Sequence, residues 1–189
     1  MMHEYLAKTA ETVSQLTDER FLAQYEAIST LLCSTLANGG KILLAGNGGS
    51  AADCQHIAGE LVVRFRKDRP GLPAIALTVD TSVLTACLND FGPGPVFSRQ
   101  IEALGRENDV FWAFSTSGNS GNILEACAAA RDQKMKILAF SGGNGGKLAT
   151  FADLLFLAPS TVTSHIQECH ISVAHMLCHS IEQRLFADS

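Results

Sequence analysis

His56 and Glu60 stand four residues apart in Ser50-Ala-Ala-Asp-Cys-Gln-His-Ile-Ala-Gly-Glu60. On a helix that spacing puts an imidazole and a carboxylate on one face, a turn from each other. Such a pair holds a metal or moves a proton. Directly before it runs Gly46-Asn-Gly-Gly-Ser50, a turn whose glycines permit positive φ and let backbone N–H groups crowd together. Ser50 suits the N-cap of the helix that follows. A nest of N–H groups at a helix N-terminus attracts anions. A second loop of this kind, Ser115-Thr-Ser-Gly-Asn-Ser120, supplies four hydroxyls in six residues ahead of another helix. Capping needs one hydroxyl, so phosphate oxygens are the better account of four. Proton chemistry beside two anion loops points to a small phosphorylated substrate.

Further candidates lie near the C-terminus. Gln167 and His175 share one helix, eight residues and therefore ~12 Å apart along its axis. Metal–ligand bonds are only about 2 Å. Both reach one ion only near full side-chain extension, or with a neighbouring subunit completing the site. His3, His165, His170 and His179 suit helix faces or subunit contacts, and His170 shares its helix with the candidate ligands. Gly46-x-Gly48-x-x-Ala51 loosely fits a dinucleotide fingerprint. The acid that ends the next strand is Asp80, however, well past the expected distance of about 20 residues, which argues against a nicotinamide cofactor. Ser141-Gly-Gly-Asn-Gly-Gly146 has a single hydroxyl and reads as a turn before a short helix.

The elements that must position these residues follow from periodicity. Met2–Leu16 and Asp18–Ala37 read as helices, the second with Phe21, Tyr25, Ile28, Leu32 and Leu36 along one stripe. Two helices before any strand suggest a packing face against another subunit, or a simple helical cap. Short apolar runs without polar alternation read as buried parallel strands at Lys41–Ala45, Leu72–Leu77, Asp109–Phe114, Met135–Phe140 and Leu154–Ala158. Helices fit at Ser50–Phe65, Thr81–Leu88, Val96–Leu104, Asn119–Asp132, Lys147–Phe151 and roughly Ser164–Phe186. The alternation implies an α/β fold with helices on both faces of a five-stranded parallel sheet, and ligands at the strands' C-terminal ends. Arg66–Pro73 reads as an exposed polar loop.

A chain of 189 residues suits one domain, with a helical segment at 1–38 and an α/β core over 41–189. Hydrophobic residues at 47% against 17% charged exclude disorder, and a net charge of −5 disfavours a nucleic-acid partner. The N-terminus lacks the apolar core of a signal peptide, and no apolar stretch is long enough for a bilayer span. Six cysteines without a Cys-x-x-Cys pair read as buried free thiols in a reducing cytoplasm.

The stretches AGNGGSAADCQHIAGEL, LNDFG, VFSRQIEALGREND, FSTSGNS and HIQECHISVAH together resemble the phosphoheptose isomerases of the sugar-isomerase (SIS) domain group, over nearly the whole chain. The resemblance implies a flavodoxin-like SIS domain whose N-terminal helices pack in a homotetramer with interfacial active sites. It implies a zinc-assisted conversion of D-sedoheptulose 7-phosphate to D-glycero-D-manno-heptose 7-phosphate, opening bacterial heptose biosynthesis. The family's zinc ligands fall on His56, Glu60, Gln167 and His175, with Glu60 as base and His175 as acid. Its substrate contacts fall on Asn47, Gly48, Gly49 and Ser50, on Asn89 and Asp90, and on Ser115, Thr116, Ser117 and Ser120. Glu60 and Gln167 are shared with that set, and Arg64 matches a position that is commonly Arg. One departure is His165, where the family usually has Arg before Ile166-Gln167-Glu168. The rival readings are a non-catalytic SIS adaptor that binds the bacterial replication initiator, and a sugar-phosphate sensor with an appended DNA-binding domain. The full set of acid, base and ligand positions favours the enzyme, and the chain offers neither room nor basic charge for a DNA-binding domain.

Overall fold

The computed structural model describes residues 2–187. Five strands, β1 (Ile42–Ala45), β2 (Ala74–Ala76), β3 (Val110–Phe114), β4 (Lys136–Gly142) and β5 (Leu154–Ala158), form one parallel sheet in the order β2-β1-β3-β4-β5. Every crossover between them carries helix or helical turns, as parallel neighbours require. The helices are α1 (Met2–Ser14), α2 (Glu19–Ala37), α3 (Gly49–Val62), α4 (Thr81–Phe91), α5 (Ser98–Leu104), α6 (Gly121–Asp132) and α7 (Thr163–Leu185).

The strands are apolar throughout because both faces are covered. Ile42, Leu44, Trp112, Phe114, Phe140 and Phe156 pack beneath α2, α3 and α7. The alternate residues Leu43, Ala45, Phe111, Ala113, Ile137 and Ala139 pack beneath α5 and α6. That two-way division is the period-two geometry of a strand. Among the described residues no helix is long and apolar enough to cross a membrane.

Of the two N-terminal helices, α2 buries its stripe of Phe21, Ile28, Leu32 and Leu36 in the chain's own core. It is also tied to α7 by the buried Ser29–Ser180 hydroxyl contact at 2.6 Å. Its stripe is therefore covered within the chain, which is the helical-cap alternative rather than the subunit-packing one. On α1 only Thr12 is buried, and Met2, Tyr5 and Leu6 stay exposed.

Several boundaries differ from the sequence reading, and three bear on the site. The helix predicted to reach Phe65 stops at Val62, and the Arg66–Pro73 stretch is not simply an exposed loop. Arg69 within it is buried, with its guanidinium on the carbonyls of Glu60 and Leu61. Asn89 and Asp90 lie inside α4, which runs on to Phe91. Finally, Gly48 caps α3 in place of Ser50. With φ +56 it takes the turn that a side chain resists, and no side-chain cap bond is made.

Candidate active site

The strand order reverses between β1 and β3, since crossovers from β1 run one way to β2 and those from β3 the other way to β4. A crevice opens at such a switch point, beyond the strands' C-terminal ends. Here it is a cavity of about 310 Å³. Asn47, Gly48, Gly49 and Ser50 line it from the loop after β1, and Ser115, Thr116 and Ser120 from the loop after β3. Thr163 and Gln167, on the first turns of α7, complete it with Phe114.

Three helix N-termini therefore meet at one cavity, those of α3, α6 and α7. At none of them does the N-cap side chain bond the helix N–H groups. Ser120 occupies the N-cap of α6, yet its Oγ lies 3.0 Å from Ser115 Oγ, so the hydroxyl stays with the loop. The dipole ends of the three helices meet at the same space, and no lining residue carries a charge. That is a site for an anion bound by N–H and O–H donors.

Neighbouring loops brace this cradle. Asn47 and Asn122 exchange amide bonds at 3.0 and 2.9 Å, joining the glycine loop to α6. Ser141 Oγ donates to the Ser115 carbonyl at 2.7 Å. The glycine-rich stretch at 141–146 does form the predicted turn, and it also serves as the floor of the serine loop. A Cβ on Gly118 would stand 1.9 Å from the Gly145 carbonyl oxygen.

A second cluster sits farther along α3 and α7. His56 Nε2 and His175 Nε2 are 2.8 Å apart, so one ring donates to the other. Glu60 Oε1 lies 3.4 Å from the same His56 nitrogen. Burial, and then the neighbouring His56, hold the His175 pKa below the usual imidazole value, with Glu60 opposing. Phe65 stacks on His175 at 5.6 Å between ring centroids. Asp53, one turn before His56, is pushed up to about 6 by burial against the pull of His56.

Two imidazole nitrogens and a carboxylate are donors that suit zinc. As the side chains stand, no three His, Cys, Asp or Glu among the described residues are grouped to hold a metal. Gln167 is not with the histidines; its amide reaches Ser50 Oγ at 3.5 Å and belongs to the cradle. Ser117 is exposed, its Oγ accepting from the Asn119 N–H. Arg64 is exposed just past α3, and Asn89 donates to its neighbour Asp90 on the surface of α4. None of these four lines the cavity.

His170, singled out by its helix, is a buried structural residue. Its Nε2 donates to the Ser141 carbonyl at 3.2 Å among the rings of Phe114, Phe140 and Phe156. Burial drives its pKa down to about 4. Sequence reasoning missed Thr163, Asn122 and Phe65. Thr163 opens α7 as a hydroxyl at a helix start and carried a readable signal, whereas the other two matter only through partners 75 and 110 residues away.

Comparison with known proteins agrees with this fold. The model of the SIS domain family matches residues 4–142. A phosphoheptose isomerase of Burkholderia pseudomallei is 51% identical over 173 residues, covering 92% of this chain and 88% of that one. Among solved structures, a phosphoheptose isomerase from Francisella tularensis superposes with a TM-score of 0.93 at 36% identity, covering 97% of both chains. Another from Neisseria gonorrhoeae gives 0.88 at 41% identity, covering 96% of this chain and 98% of that one.

Proposed function

The chain belongs to the SIS domain family, among the phosphoheptose isomerases, and is an aldose–ketose isomerase of sugar phosphates; from that premise we propose that it converts D-sedoheptulose 7-phosphate to D-glycero-D-manno-heptose 7-phosphate. The observation that carries this reading is the meeting of three helix N-termini without side-chain caps at a hydroxyl-lined cavity, with an acid–base cluster farther along two of them, α3 and α7. Glu60 and His175 stand off from the cradle, ~15 Å past Ser50 along α3 and ~12 Å past Gln167 along α7. A substrate with its phosphate at one end and its carbonyl at the other suits two sites set apart in this way.

In this mechanism the cradle of Asn47, Gly48, Gly49, Ser50, Ser115, Thr116 and Ser120 holds the phosphate. Remote binding then positions the reacting carbons. Glu60 takes the C1 proton as base, and His175 donates a proton to the C2 carbonyl oxygen, giving an enediol. The proton returns to C2, O1–H is deprotonated, and the aldose carbonyl forms at C1. His56 and Glu60 on α3 with His175 on α7 are the residues that would hold zinc, and Gln167, which stands in the cradle here, would join them only by leaving it or from a second subunit. When bound, zinc supplies a Lewis acid toward the carbonyl oxygen. Arg64, Asn89, Asp90 and Ser117 serve the substrate in this reading only if a second subunit brings them to the site. A homotetramer with interfacial sites supplies that arrangement, and the exposed apolar residues of α1 support it. The reading includes a cytoplasmic enzyme that feeds bacterial heptose synthesis.

The deciding assay is turnover of sedoheptulose 7-phosphate by purified protein, after chelation and again with zinc restored. Activity that disappears and returns supports reaction, substrate and metal together. A folded tetramer without turnover in either state removes the proposal and leaves the initiator-binding adaptor.

A further inference from the structure

Arg69 and Glu182 form an ion pair sealed inside the chain. Arg69 Nε donates to Glu182 Oε1 at 3.1 Å, and the two side chains are 1% and 0% exposed. Both commit their remaining hydrogen-bonding capacity to backbone. The Arg69 guanidinium donates to the carbonyls of Glu60 and Leu61, each at 2.8 Å. It thereby closes the C-terminus of α3, where carbonyls lack helical partners and the dipole favours a cation. The Glu182 carboxylate accepts from the N–H groups of Phe65, Arg66 and Lys67 at 2.8, 2.9 and 3.0 Å. Burial alone would raise the Glu182 pKa; the three N–H donors and the guanidinium outweigh it, so the group stays ionised.

The consequence lies one step away. With its backbone held by Glu182, Phe65 lays its ring over His175, centroids 5.6 Å apart and planes within 25°. The same ring borders His179 at 6.4 Å. One ion pair therefore grips the backbone of Glu60 on α3 and, through Phe65, the imidazole of His175 on α7. Apolar residues of similar volume replace a buried pair at little cost in stability, so stability alone is a weak account of this one.

We propose that Arg69 and Glu182 are positioning residues that set Glu60 against His175, with Phe65 as the surface that holds the His175 ring. The inference rests on the assignment of base and acid to those two side chains. It concerns their placement and leaves the phosphate cradle, at the other end of α7, untouched.

Phe65→Ala removes the stacking surface and leaves the ion pair and its backbone bonds in place. Its kcat is expected to fall about 10- to 100-fold while KM stays within about twofold, the signature of misplaced reacting groups. Phe65→Tyr keeps the ring, restores kcat and melts near the parent; Phe65→Ala also loses packing against the core, so its kinetics are read well below its own melting temperature. Glu182→Gln is expected to give the same kcat-selective loss, and Phe65→Ala decides the matter where that variant does not fold. The NMR shifts of the His175 ring protons read placement without turnover: in the parent they carry the ring current of Phe65, which is lost in Phe65→Ala. A parent protein that does not turn over the sugar phosphate would defeat the acid–base assignment, and the ring shifts would still report whether Phe65 holds His175. A Phe65→Ala variant with near-parental kcat and unmoved His175 shifts overturns the proposal. So does a kcat loss that Phe65→Tyr fails to restore.

Discussion

In the proposed mechanism Ser120 and Glu60 act on opposite ends of the substrate, and their variants are expected to fail differently. Glu60→Gln keeps the shape of the side chain and removes the base, so kcat should drop about 10²- to 10⁴-fold with the fold intact. Ser120→Ala removes one donor to a charged phosphate, raising KM by about 10- to 100-fold and leaving kcat close to the parent value. Steady-state kinetics of the two variants separates the roles; near-normal turnover by Glu60→Gln would falsify the assignment of the base. His170 carries a different expectation. Its pKa is about 4 in the folded chain against 6.5 when exposed. Between those values the unfolded imidazole binds a proton that the folded one refuses. Stability is therefore full above about pH 6.5 and declines as pH falls toward 4, by up to about 3 kcal/mol. Urea midpoints at pH 7 and pH 4.5 should show that decline in the parent and a shallower one in His170→Gln. Equal slopes would mean that the ring titrates normally.

At the scale of elements, the serine loop depends on how closely two backbones approach. Gly118 has φ +66, and a Cβ there would meet the Gly145 carbonyl oxygen at 1.9 Å. Gly118→Ala is expected to lower stability by about 1–3 kcal/mol and to weaken phosphate binding, because the loop must move off its floor. At Gly121, three residues on at the start of α6, a Cβ would meet nothing within 4 Å, so Gly121→Ala is the matched control with stability unchanged or slightly raised. Calorimetry with and without inorganic phosphate distinguishes the two, and equal behaviour would mean that the close approach carries no weight. The long α7 links the sites: its first turn lines the cradle, its middle carries His170 and His175, and Glu182 lies near its end. In the proposed mechanism a single helix thus sets the spacing between phosphate and acid.

Over the whole molecule, the two faces of the sheet explain the chemical quiet of the thiols. All six cysteines are free and buried. Burial pushes Cys127 and Cys178 up to about 12 and Cys169 to about 11. Thiolates are the reactive form, so a thiol reagent at pH 8 should titrate almost none of them in the folded protein and all six in denaturant. Fast reaction of a native thiol would expose a face that this fold closes. Oligomeric state belongs to the same scale, and sedimentation at micromolar concentration tests whether the exposed Met2, Tyr5 and Leu6 of α1 are covered by a second copy.

Much of the architecture was legible from local pattern. Strand periodicity located all five strands to within two residues at each end, because a strand buried on both faces must be apolar at every position. The two loops that line the cavity were legible because runs of glycines and hydroxyls before a helix stand out in the sequence. Sequence also supplied the pairing of His56 with Glu60, a matter of helical spacing alone. The tertiary structure decided what depends on distant partners. Ser120 leaves its cap unmade because Ser115 is beside it. Gln167 joins the cradle rather than the histidines because α7 begins at the cavity and runs away from it. Arg69 looked like a loop charge, yet it is buried against Glu182, 113 residues on. A charge alone on a chain predicts exposure, since its desolvation is costly. Only the fold provides the carboxylate and carbonyls that make burial tolerable.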